Sequence, residues 1–109
     1  GDGPDLALND EKGKWRALLG MVEGKPRLGL ADEKGVGRVV LAVLEGKSGL
    51  TLADEKGTPR ALLAVEEGKT SLALLDEKGT PRATLVVRAT GPGMGLYDEK
   101  GSTIWSAPR

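Results

Sequence analysis

The chain has 109 residues, room for one domain at most, and its sixteen basic residues balance sixteen acidic ones, so no electrostatic pull toward nucleic acid or an anionic membrane is expected. Cys and His are both absent, which excludes disulfides, thiolate chemistry, Cys/His zinc sites and the commonest general base. With no Phe, two Trp and one Tyr, any core must be aliphatic.

The chain opens on Gly1 rather than Met, so an upstream segment is expected to have been removed, or the chain to be a fragment. Leu6 and Leu8 then form a short Leu-x-Leu segment, followed by Asp10-Glu11-Lys12-Gly13. That tetrapeptide recurs at Asp32, Asp54, Asp76 and Asp98, always 22 residues apart. Asp suits the first position of a type I turn because its carboxylate accepts backbone N–H bonds, and the closing Gly supplies a left-handed conformation. A four-residue hairpin loop is therefore predicted at each Asp.

Six residues after the Asp comes an Arg, at Arg16, Arg38, Arg60 and Arg82. Alternating apolar residues follow it: Ala17-Leu19-Met21, Val39-Leu41-Val43, Ala61-Leu63-Val65 and Ala83-Leu85-Val87. A Gly-Lys pair marks the middle of three units, at Gly24-Lys25, Gly46-Lys47 and Gly68-Lys69. A second Leu-x-Leu then leads to the next Asp, at Leu28/Leu30, Leu50/Leu52 and Leu72/Leu74, with Met94/Leu96 closing the series. In the fourth unit Gly91-Pro92-Gly93 reads as an irregular bend after Arg88-Ala89-Thr90.

The apolar period is two, a strand period, and Gly recurs too often for long helices. Each 22-residue unit thus predicts two strands and two turns, about ten strands in all over residues 1–109. An even count at both turns gathers Leu19, Leu28, Leu30, Leu41, Val43, Leu50, Leu52, Leu63, Val65, Leu72, Leu74, Leu85, Val87 and Leu96 onto one face. The other face then carries small residues (Ala7, Gly20, Gly29, Ala42, Thr51, Ala64, Ala73, Gly95) with Val86, Leu18, Val40 and Leu62.

Ten strands at ~4.8 Å each make a sheet about 48 Å long, whose leucine face spans roughly 1,000 Å². A soluble monomer rarely shows so large an apolar patch, so something is expected to cover it. A closed barrel of ten strands would leave an interior too wide for Leu, Val and Ala to fill. Two solutions remain open: a two-sided β-solenoid, or meander sheets from several chains packed as a prism. The multi-chain answer is preferred, with a threefold prism as its leading geometry. The expected partner is accordingly the chain itself, as a trimer or a fibre, with no nucleic acid and no membrane insertion.

The unit Leu72-Ala73-Leu74-Leu75-Asp76-Glu77-Lys78-Gly79-Thr80-Pro81-Arg82-Ala83-Thr84-Leu85-Val86-Val87 resembles a tandem repeat of uncharacterised bacterial proteins, as does the ending Leu96-Tyr97-Asp98-Glu99-Lys100-Gly101 with Ile104-Trp105-Ser106-Ala107-Pro108. The resemblance spans essentially the whole chain and brings no activity with it. It implies an oligomer at the cell surface or envelope, held in the relatives by a membrane anchor and a coiled coil that do not occur in this sequence.

No catalytic, cofactor or metal residue is predicted. The acidic pairs at 10/11, 32/33, 54/55, 76/77 and 98/99 invite calcium, yet each precedes a Lys and lacks the spacing of known calcium loops. The Arg column is expected to pair with carboxylates of the neighbouring turn. Trp15, Tyr97 and Trp105 are expected to cap the ends of the array, although such rings also bind sugars. The scarcity of Asn and Gln fits growth at high temperature. A structural, self-associating protein of an extracellular fibre or stalk is the leading expectation; a non-catalytic module binding carbohydrate or protein is the alternative.

Overall fold

The computed structural model describes residues 5–108. They form one ten-stranded sheet in which every strand pairs with its sequence neighbours, in the order β1 to β10. The strands are β1 (Leu6–Asn9), β2 (Trp15–Val22), β3 (Lys25–Ala31), β4 (Gly37–Leu44), β5 (Lys47–Ala53), β6 (Pro59–Glu66), β7 (Lys69–Leu75), β8 (Pro81–Arg88), β9 (Gly91–Tyr97) and β10 (Thr103–Ala107). All nine pairings are antiparallel. The molecule measures 52 × 28 × 15 Å, a single layer rather than a two-sided coil. The solenoid alternative is thereby excluded: odd and even strands lie side by side, not across a shared interior.

The Asp turns differ in detail from the expected four-residue loop. Asp32 N–H donates to the Val36 carbonyl (2.9 Å) and Gly35 N–H to the Asp32 carbonyl (3.0 Å), which leaves three residues in the loop. Asp32 itself pairs with Val36, and one further residue beyond the loop forms a bulge. Leu30 faces Val39 and Ala31 faces Gly37, so Arg38 is the extra residue on its strand. Loop plus bulge restore the even count, and the face assignment survives.

One carboxylate oxygen holds this geometry together. Asp32 Oδ1 accepts the N–H groups of Lys34 (2.9 Å) and Val36 (3.0 Å), and the other four turns repeat the arrangement. The closing Gly takes positive φ each time, +86° at Gly57 for example, where a Cβ would be strained. At the opposite edge, Glu23 (φ 51°) and Gly24 (φ 77°) connect Val22 to Lys25, the two positive values of a type I′ hairpin.

Gly91-Pro92-Gly93 is not a bend. It is the start of β9, and the turn consists of Ala89 and Thr90. Pro92 faces Val87 as Pro26 faces Met21 three units before, so the 22-residue period outweighs the local turn composition.

Among the described residues almost nothing is buried. Ala31, at 7% exposure, is the sole buried apolar side chain, and no large side chain is fully enclosed. The accessible surface is 7685 Å² for 11.4 kDa. That is about a third more than the roughly 5,800 Å² of a compact monomer of this mass.

Candidate self-association face

The register resolves the leucine face into three parallel rows that run along the sheet. Leu6, Leu19, Leu28, Leu41, Leu50, Leu63, Leu72 and Leu85 are consecutive cross-strand partners, continued by Met94 and Ala107. Directly opposed side chains on one face lie about 5 Å apart, so this ladder is continuous. Toward the Asp turns runs a second row: Leu8, Ala17, Leu30, Val39, Leu52, Ala61, Leu74, Ala83, Leu96 and Trp105. Toward the other edge lies a third, with Val43, Ser48, Val65, Thr70, Val87 and Pro92 in succession.

Sequence reasoning gathered fourteen of these positions onto one face, and the register places all fourteen there. None of the residues in the three rows carries a charge. Leu41 and Leu63 are each 45% exposed and Val43 is 54% exposed, while Leu28, Leu50 and Leu72 between them are half-buried. Over β2 to β6 the ladder and the third row enclose a shallow apolar depression of about 450 Å³, floored where Ser48 stands between Val43 and Val65.

The reverse face is of different chemistry. Lys47, Glu66, Lys69 and Arg88 are successive partners along it, and Lys69 Nζ lies 3.3 Å from Glu66 Oε1. Along its midline Gly29, Thr51, Ala73 and Gly95 alternate with the larger Leu18, Val40 and Leu62 and then with Thr84 and Ser106. The aromatic rings shelter glycines there. Trp15 lies within 3.8 Å of where a Gly29 side chain would stand, and Tyr97 covers Gly95 while its hydroxyl meets Thr84 Oγ1 at 3.1 Å. Trp105 belongs to the leucine face instead, opposite Leu96.

Along the Asp edge the Arg column makes a repeated staple. Arg16, Arg38, Arg60 and Arg82 each donate Nε–H to the carbonyl fifteen residues ahead, at 2.8–2.9 Å, on Ala31, Ala53, Leu75 and Tyr97. Each also approaches the Asp six residues behind it, from 3.8 Å for Arg16–Asp10 to 3.4 Å for Arg82–Asp76. The charge partner is thus the unit's own Asp, not a carboxylate of the neighbouring turn as expected. The Arg is the extra residue at the bulge, and from there it reaches both its own Asp and the last carbonyl of the next strand. Composition gave the column; nothing in it announced the carbonyl.

These contacts act on the carboxylates. The N–H of Val36 holds the Asp32 carboxyl below its ordinary value, against some desolvation, with help from the Lys34 N–H and Arg38. Asp76 is lowered likewise by Thr80, Lys78 and Arg82. For Asp54 desolvation is the largest single influence and raises the value, but the N–H groups of Thr58 and Lys56 together with Arg60 outweigh it.

The turn rows mix acidic and basic side chains. The depression of about 620 Å³ among them is lined by Arg60, Arg82, Lys78 and Lys100 together with Asp76, Glu77 and Glu99, so neither sign prevails. No cluster of three metal-ligating side chains occurs among the described residues, and no helix there is long and apolar enough to cross a membrane. No protein-family model matches the chain, and no curated protein matches it.

Proposed function

We propose that this chain is a structural β-repeat protein that associates with copies of itself through the leucine face, in a stalk or fibre on the cell exterior. The observation that carries the reading is the ladder from Leu6 to Leu85, uncharged, uninterrupted and uncovered in the isolated chain. At about 25 cal/mol per Å², the hydrophobic effect favours covering such a strip. The reverse face combines a charged edge row with the aliphatic Leu18, Val40 and Leu62, whereas the leucine face carries no charge in any of its three rows. Catalysis is not part of the proposal, because the side chains recur every 22 residues and no unique cleft stands out.

The alternative, a sugar-binding module, would need a platform of rings. Trp15 and Tyr97 are seven strands apart, roughly 34 Å at 4.8 Å per strand, and Trp105 faces the other way. Sedimentation equilibrium over a hundredfold concentration range tests the proposal. A mass of 11.4 kDa at every concentration would reject it.

A further inference from the structure

Among the described residues the sheet ends in β1 on one side and β10 on the other. By phase these two edges fit each other, because β10 follows β8 by one 22-residue unit and β1 precedes β3 by one. A second copy laid against β10 would therefore repeat the pairing of β8 with β9. Trp105 would face the newcomer's Leu8, Ala107 its Leu6 and Pro108 its Asp5, as Ala83, Leu85 and Val86 face Leu96, Met94 and Gly93. Edges that match in this way let a sheet grow without limit, one chain upon the next.

We propose that β10 is built as a stop to that growth. Two departures from the repeat carry the inference. The first is Pro108, which stands where the unit has Gly20, Ala42, Ala64 and Val86. Arg88 and Gly91 flank a two-residue turn and exchange both hydrogen bonds, so by alternation Val86–Gly93 is a bonded pair and Leu85–Met94 is not. Across β9 the pattern reverses. Met94 bonds Ala107 and Leu96 bonds Trp105, which leaves 108 as a position whose N–H an incoming strand would need. Proline has none to give.

The sheet itself shows what a proline does in such a place. The same alternation turns Pro26 toward β4, and the β3–β4 pairing begins only at Arg27 and Ala42. That is two pairs short of the β5–β6 and β7–β8 pairings.

The second departure is Ile104, which fills the bulge position that Arg82 holds in β8. Arg16, Arg38, Arg60 and Arg82 all donate from that position to a carbonyl of the following strand. An incoming copy would bring its Asn9 carbonyl there, and Ile104 has no donor for it. The Asp98 turn keeps its own bonds from Lys100 and Ser102, so the loss falls on the junction and not on the turn.

One closed edge is enough, since head-to-tail growth uses β10 and β1 at every step. This rests on the self-association reading and narrows it. Association is left to the leucine face, of which each chain has one, and the assembly closes at a fixed size instead of running on as a fibre.

Sedimentation velocity and negative-stain imaging of the wild type and three variants, over a hundredfold concentration range, test the stop. The wild type is expected to reach one finite mass. Pro108→Val restores the missing donor, and Ile104→Arg together with Pro108→Val restores the staple as well. The double variant is expected to form filaments that lengthen with concentration. Pro108→Val alone should need about tenfold more protein to do so, the worth of one such bond. Adding Ala7→Pro to the double variant removes an N–H that β1 turns outward, spares the bonds to β2, and should abolish the filaments. Circular dichroism of each variant checks that the sheet is unchanged. Filaments of the wild type, a double variant as finite as the wild type, or filaments indifferent to Ala7→Pro overturn the stop. A wild type that is monomeric throughout defeats the self-association reading alone, and filaments of the double variant would still support the stop.

Discussion

Arg38 Nε lies 2.8 Å from the carbonyl oxygen of Ala53, fifteen residues ahead, and this one bond ties the exit of the Asp32 turn to the entry of the Asp54 turn. The carbonyl belongs to the residue just before Asp54, whose own Arg repeats the contact on Leu75. Neighbouring turns are thereby linked into a row by the residue that the bulge leaves over.

Arg60→Met is expected to lower stability by about 1 kcal/mol, the usual worth of one such hydrogen bond, with the sheet retained. Arg60→Lys should recover little, because a single ammonium cannot reach the carbonyl and the carboxylate as the guanidinium fork does. Urea denaturation followed by circular dichroism gives both values. Equal stability of Arg60→Met and wild type would show that the staple contributes nothing.

Asp54→Ala removes the acceptor for the N–H groups of Lys56 and Thr58 and should cost more stability than Asp54→Asn, which keeps an oxygen in that place. Thermal melts of the two variants order them. Equal costs would mean that the charge, and not the turn, matters at this position.

Acid should loosen the turn row. The carboxyls of Asp32, Asp54 and Asp76 titrate below the ordinary 3.8 in the folded chain, so the unfolded chain binds protons first as pH falls. Their contribution is complete above 3.8 and is lost as pH drops through the lower folded value. The melting temperature is expected to stay level from neutral pH to about 5 and to fall below 4. In the triple variant Asp32→Asn, Asp54→Asn, Asp76→Asn the fall should be visibly smaller. Melts between pH 2 and 7 check this.

The faces of the sheet were legible from residue order because alternation survives any loop that restores an even count. The shared face of Leu50, Leu52, Ala61 and Leu63 follows from the even count, but a four-residue loop at Asp54 would set Leu50 opposite Ala61, and it is the shorter loop with its bulge that sets Leu50 opposite Leu63. Two further features were not legible. Local composition suggested a bend at Gly91-Pro92-Gly93, although Pro92 sits three whole units after Pro26, and that spacing was the better guide. The carbonyl partner of Arg38 depends on a bulge, a three-dimensional detail that residue types do not encode. Trp15 over Gly29 is of the same kind, a diagonal contact between residues that are not register partners.

Gly57→Ala is expected to lower stability by about 1–2 kcal/mol, since its φ of +86° brings a Cβ toward the following carbonyl. Gly57→Asn should cost less, because Asn tolerates the left-handed region. Chemical denaturation separates the two. A neutral Gly57→Ala would mean that the turn can relax to another type.

Every contact along the Asp edge is confined to a window of six residues back and fifteen forward, so no unit depends on how many others the array holds. Excising residues 55–76 joins Asp54 to Glu77 and regenerates the same tetrapeptide, while Leu50 inherits Leu85 as its partner. The shortened chain should fold as an eight-stranded ribbon about 10 Å shorter. Removing or adding whole units therefore alters the reach of the molecule in fixed increments of two strands while leaving the remaining turns and their partners as they were.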